Sequence, residues 1–240
     1  MPHFWPIMIQ TIILIGIPLQ LILYFQKRFN PENIFFWIGI AWGFFSITKL
    51  GFLGISKIFL NSGMLTSIII EVFIIVVFEL LIRIFLVNKY YSENIFNFIN
   101  LLMGYVFIKI LGVFILNLLN YINIFSLTTM KISAMQIAAS QKAIIYNQLK
   151  SFRDAKSYFF IFQGIQHFTI MLVMSLLFLL QRQKVFSIYV LAIIHFIVLF
   201  LITFLLAFKW VMLGYFVIVL ILIACLSILK SGASIIKNSE

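Results

Sequence analysis

The stretch Ser67-Ile-Ile-Ile-Glu71-Val-Phe-Ile-Ile-Val-Val-Phe-Glu79-Leu-Leu-Ile-Arg83-Ile-Phe-Leu-Val87 decides the fold. Apart from Ser67, Glu71, Glu79 and Arg83 it is wholly apolar, and it is long enough to cross a bilayer as a helix. Glu79 and Arg83 lie four residues apart, on one helix face. An acid and a base in hydrocarbon are expensive, so their presence calls for partners or a function.

The rest of the chain has the same character. Of its 240 residues 64% are hydrophobic and 10% charged, which leaves too little polar surface for a water-soluble domain of this size. The apolar runs are continuous and about 20 residues long, so strands are excluded and an all-α polytopic transmembrane bundle is expected. The net charge of +11 arises from Lys and Arg placed mostly between apolar runs. That is the pattern of membrane-flanking anchors, and it argues for the lipid bilayer, not nucleic acid, as partner. Cys225 is the only cysteine, so no intrachain disulfide forms. Met1 to Pro6 lacks the basic segment of a cleavable signal, so the first apolar run is expected to stay as a membrane helix.

About seven spans are expected within a single membrane domain covering residues 1–240. They cover roughly Ile7–Phe25, Ile34–Ile55, Leu65–Val87, Ile95–Leu119, Tyr158–Leu180, Val185–Phe208 and Val211–Leu229. Pro18 should kink the first and leave the Leu14 carbonyl without its usual backbone donor. Gly39 and Gly43 form a small-xxx-small pair that permits close helix approach in the second. Lys49 and Lys57 are expected to snorkel. Residues 120–157 form the one long connection, rich in Ser, Gln, Ala and Lys. Lys131, Lys142 and Arg153 share one side of a helix there, consistent with a headgroup-level amphipathic helix or a solvated helical link. Lys27-Arg28 favours an outside N-terminus, which leaves the bases around Lys142 to Lys156 outside as well. An eighth, re-entrant segment between Asn120 and Ser140 would remove that conflict.

Glu79, Lys109, His167 and His195 each fall within about three residues, roughly 5 Å, of the middle of their spans. The plainest reading of Glu79 and Arg83 is an intrahelical ion pair. The functional one makes Glu79 a general base for a trapped water, with Arg83 holding its carboxylate. His167, within Phe162-Gln-Gly-Ile-Gln-His-Phe168, and His195 could be hydrogen-bonded packing, or could join a Glu in holding a metal or an oxyanion. The zinc pattern His-Glu-x-x-His is absent, so neither metal nor cofactor is specified. Lys109 is expected to balance a carboxylate, Glu71 being one candidate.

This order of motifs resembles the YhfC-like membrane peptidases, relatives of the glutamic-type intramembrane proteases. That group carries a Glu-Glu-x-x-Arg helix, then a Gly-His-Gly helix with a following Glu, then two further His-bearing helices. Phe78-Glu79-Leu80-Leu81-Ile82-Arg83 matches the first motif at its leading Glu and its Arg, with Leu80 in place of the second acid. Gln166-His167-Phe168 and Ile194-His195-Phe196 fall where the later histidines would. In the middle motif Tyr105 and Lys109 stand instead of His and Glu. The resemblance implies an intramembrane peptidase of the bacterial plasma membrane acting on a membrane-embedded peptide or protein, with Glu79, Arg83, His167 and His195 at its site. The alternative is an inactive relative with a binding, immunity or scaffold role. A transporter subunit ranks third, because paired halves and broken helices are not evident.

Overall fold

The computed structural model describes residues 4–47, 64–129, 146, 150, 157–208, 210, 212–221, 223–224 and 227. These residues are helical throughout, joined by short turns. Helices α1 (Phe4–Thr11) and α2 (Ile17–Phe29) run on through a π-helical turn, Ile12–Gly16. Then come α3 (Asn33–Ile47), α4 (Met64–Lys89), α5 (Ile95–Thr129), α6 (Ser157–Arg182), α7 (Ile188–Ala207) and the short apolar α8 (Met212–Ile221). Among the described residues four stretches are long and apolar enough to cross a membrane: Trp5–Phe29, Ile95–Leu119, Phe160–Arg182 and Ile188–Leu205. The α4 helix, at 26 residues, has the length but carries the buried charges.

Burial follows membrane logic. Trp5, Trp37, Phe73, Leu81, Tyr189 and Phe216 face outward, while Gln10, Ser46, Glu79, Arg83, Lys109 and His195 are buried. In water this distribution would expose a continuous apolar surface; in lipid it is the stable one. The helical bundle expected from the sequence is therefore observed, and the protein is a membrane protein.

The glycine reading holds, and the partner of Lys109 changes. A π-helical turn, Ile12–Gly16, lies just before Pro18, with the Ile17 N–H donating to the Ile12 carbonyl. Gly39 and Gly43 do bring helices together: a Cβ on Gly39 would overlap the Leu101 carbonyl and lie 2.8 Å from the Tyr105 nitrogen. Gly104 is the reciprocal small residue, packed on the Phe36 carbonyl, so α3 and α5 lie side by side and run in the same direction. The membrane-compatible part of the fourth span, Ile95–Leu119, has the expected bounds. Its helix continues to Thr129, beyond the membrane-compatible segment that ends at Leu119. Lys109 balances Glu79, not Glu71. Lys49, Lys57, Cys225 and most of the connection after Thr129 lie outside the described residues.

One end of the bundle gathers the α2–α3, α4–α5 and α6–α7 turns. Asn30, left-handed at φ 44°, closes α2. Asn97 and Glu32 bond each other reciprocally at 3.0 and 3.1 Å, and Asn100 donates to the Glu32 carbonyl at 2.9 Å. Arg182 donates to the carbonyls of Tyr91 and Glu93. Lys27, Arg28, Lys89, Arg182 and Lys184 all sit at this end.

Candidate functional site

The site is built where α3, α4 and α5 meet. The glycine contacts of α3 bring its backbone against α5 and leave Ser46, three residues beyond Gly43, facing inward and fully buried. From α4, Glu79 enters the same space at 1% exposure. Its Oε1 accepts from Ser46 Oγ at 2.9 Å and from Lys109 Nζ at 2.5 Å. Its Oε2 accepts from the Tyr105 hydroxyl. Lys109 Nζ lies 3.5 Å from that hydroxyl and 4.8 Å from the centre of the Tyr105 ring, which packs edge-to-face with Phe178 of α6. One carboxylate thus ties three helices through charge-assisted hydrogen bonds, in surroundings that weaken none of them by solvent competition.

Arg83 behaves differently from the expected intrahelical ion pair. It lies one turn along α4 from Glu79 and within electrostatic reach of Glu79 and Tyr105. Yet among the ion pairs of the described residues Glu79 is joined to Lys109, not to Arg83. Lys109 comes from a facing helix and reaches Oε1 directly. Arg83 is 2% exposed, and its Nε and Nη2 meet no acceptor among the described residues.

The histidines lie on two other helices. His195 is buried on α7, one turn from Leu199, which packs with Ile68, Val72 and Val76 of α4. Glu79 lies one turn from Val76 in the matching direction, so the two are at similar depth on neighbouring helices. His167 is half-buried on α6, one turn from Met171, which packs with Leu14 and Ile110. Beside it Gln10 donates to Gln163 at 3.4 Å, and Gly164 packs on Gln10. Phe168 and Met171 line an apolar groove of about 180 Å³ against α2 and α5. Among the described residues no three His, Cys, Asp or Glu side chains come together to hold a metal.

Sequence reasoning missed Ser46, although Gly39, Gly43 and Ser46 recur at helical spacing as the small-residue face of α3. It noticed Tyr105 only as a departure from a family motif, and expected Lys109 to balance a carboxylate without identifying which; both meet Glu79. Comparison with family models, with curated proteins and with solved structures finds no match.

Proposed function

We propose that this is a multi-pass protein of the bacterial plasma membrane that binds a membrane-embedded ligand or partner without hydrolysing it. In this reading it is a relative of the glutamic-type intramembrane peptidases whose acid serves as a structural counter-ion. The carrying observation is that both oxygens of Glu79 are held by Ser46, Tyr105 and Lys109. A general base needs a lone pair aimed at the water it deprotonates. A carboxylate gripped by a lysine and two hydroxyls is arranged for holding helices.

The test is cleavage. The protein and its Glu79→Gln variant are reconstituted in liposomes with a set of single-span transmembrane peptides, and new termini are sought by mass spectrometry. No product that depends on Glu79 is expected. A product formed by the native chain and absent with the variant would overturn the reading. It would support the second one, a peptidase in which Glu79 activates water and His167 and His195 orient it. That second reading draws on the similar depth of Glu79 and His195 on adjacent helices.

A further inference from the structure

The apolar groove of about 180 Å³ is lined by α2, α5 and α6. Pro18 and Ile22 contribute from α2, Ile99 and Ile110 mark its length on α5, and Phe168 and Leu179 mark it on α6. The one polar side chain in the lining, Ser175, donates to the Met171 carbonyl of its own helix at 3.0 Å, so the lining has no donor to spare. Leu21 is exposed and Met103 and Phe107 are half-buried, which opens the groove to the bilayer. Such a surface suits hydrocarbon and rejects a hydrated solute.

Length and charge narrow the occupant. The groove follows α5 from Ile99 to Ile110 and α6 from Leu179 back to Phe168, about 16 Å of helix on each. That is the depth of one leaflet, half of a hydrocarbon core about 30 Å thick. A spanning helix from a partner would need a trough through both leaflets and about 10 Å across. A volume of about 180 Å³ over this length is a slot for a single chain. One end of the slot lies at the basic end of the bundle. Leu179 is three residues short of Arg182, on the same side of α6, and α2 closes with Lys27 and Arg28 in its last turn. Phe25, Phe29 and Phe96 fill the α2–α5 side there, with ring centroids 4.8 to 6.4 Å apart, which leaves the path along α6. Lys27, Arg28 and Lys184 are exposed. With Lys89 and Arg182 they outnumber Glu32 and Glu93, the acids at this end among the described residues.

We infer that the groove holds one acyl chain of an anionic phospholipid whose headgroup phosphate lies at the basic end carrying Lys27, Arg28 and Lys184. The apolar slot, one leaflet deep, accounts for the chain, and the excess of cations at its end accounts for the charge. The inference goes beyond the reading above, because neither Tyr105 nor Lys109 lines the groove. The two fail separately: Glu79-dependent peptide cleavage would remove that reading, while lipid binding in the groove is measured without it.

The full chain in detergent is titrated with palmitoyl-oleoyl phosphatidylglycerol or with phosphatidylcholine of the same chains, and adducts are followed by native mass spectrometry. One saturable phosphatidylglycerol adduct is expected, bound about tenfold or more tighter than phosphatidylcholine. Ser175→Phe fills the slot and should weaken that adduct about tenfold or more, whereas Ile193→Phe, on an exposed position of α7, should leave it unchanged. Replacing Lys27 and Arg28 together with Ser should reduce the preference for phosphatidylglycerol. Equal binding of the two lipids by the native chain would overturn the inference, as would full binding by a Ser175→Phe chain that keeps the native melting temperature. If that variant does not fold, the native chain still decides the matter. Phosphatidylglycerol with a diazirine midway along one acyl chain should label residues 99–110 and 168–179 in preference to Ile193 and Ile197. Even labelling of all the lipid-facing helices would sink the groove assignment. A photoreactive benzoylphenylalanine at Leu172 should capture phospholipid; capture of a second copy, or of another part of the same chain, would show that a different occupant fills the slot and overturn the lipid site.

Discussion

Replacing Glu79 with Gln keeps the shape of the side chain but removes the charge that Lys109 Nζ meets at 2.5 Å. The lysine is then left buried beside a neutral amide, and breaking a buried pair in this way costs about 3–5 kcal/mol. A lower thermal midpoint in detergent is therefore expected. The double variant Glu79→Gln with Lys109→Met removes both charges and should recover most of the loss, because a buried pair replaced by groups of similar volume is often neutral or stabilising. A double variant no more stable than the single one would show that Glu79 answers to more than Lys109. Tyr105→Phe deletes one donor to a charged acceptor and should cost about 1.5–3 kcal/mol in the same assay. The sequence alone carried the expense of Glu79 and the oddity of Lys109, but not their pairing. Arg83 at a spacing of four was the nearer candidate on paper. Only the crossing of α3, α4 and α5 makes a residue thirty positions away the closer neighbour.

The α3–α5 contact sets that crossing, and its glycines are not equivalent. A Cβ on Gly39, Gly43 or Gly104 meets backbone of the opposing helix, which cannot rotate aside. Gly39→Ala and Gly104→Ala are thus expected to destabilise by about 1–3 kcal/mol or more, by forcing the helices apart. Gly112→Ala meets only Ile47 Cδ1 at 3.5 Å, an ordinary contact, and should be neutral or gain up to about 1 kcal/mol from helix propensity. Thermal unfolding of the alanine series in detergent separates the two classes. The Gly39–Gly43 spacing announced a close approach without naming the partner helix. The π turn before Pro18 could likewise be anticipated as a disturbance, though its form is a matter of backbone bonding that only coordinates display.

At the scale of the whole molecule, the apolar runs and their length made the helical membrane class legible, because hydrocarbon leaves a chain few alternatives. The arrangement of helices was not legible, since apolar surfaces facing lipid and facing one another are written with the same residues. The bundle end that carries Lys27, Arg28, Lys89, Arg182 and Lys184 should face the cytoplasm. This can be checked after changing Cys225 to Ala and placing single cysteines at Ser92 or at Trp5. An impermeant thiol reagent applied to intact cells should label the second and spare the first; the reverse pattern would invert the orientation. The three-helix grip on Glu79 also bears on how the chain is made. When α4 emerges during synthesis, Lys109 has not yet been translated, so an acid and an arginine must wait without their later neighbour. Release of α4 into lipid is then favoured only once α5 has followed it. A nascent chain halted just after Lys89 is expected to remain associated with the insertion machinery, and one extended past Lys109 to leave it.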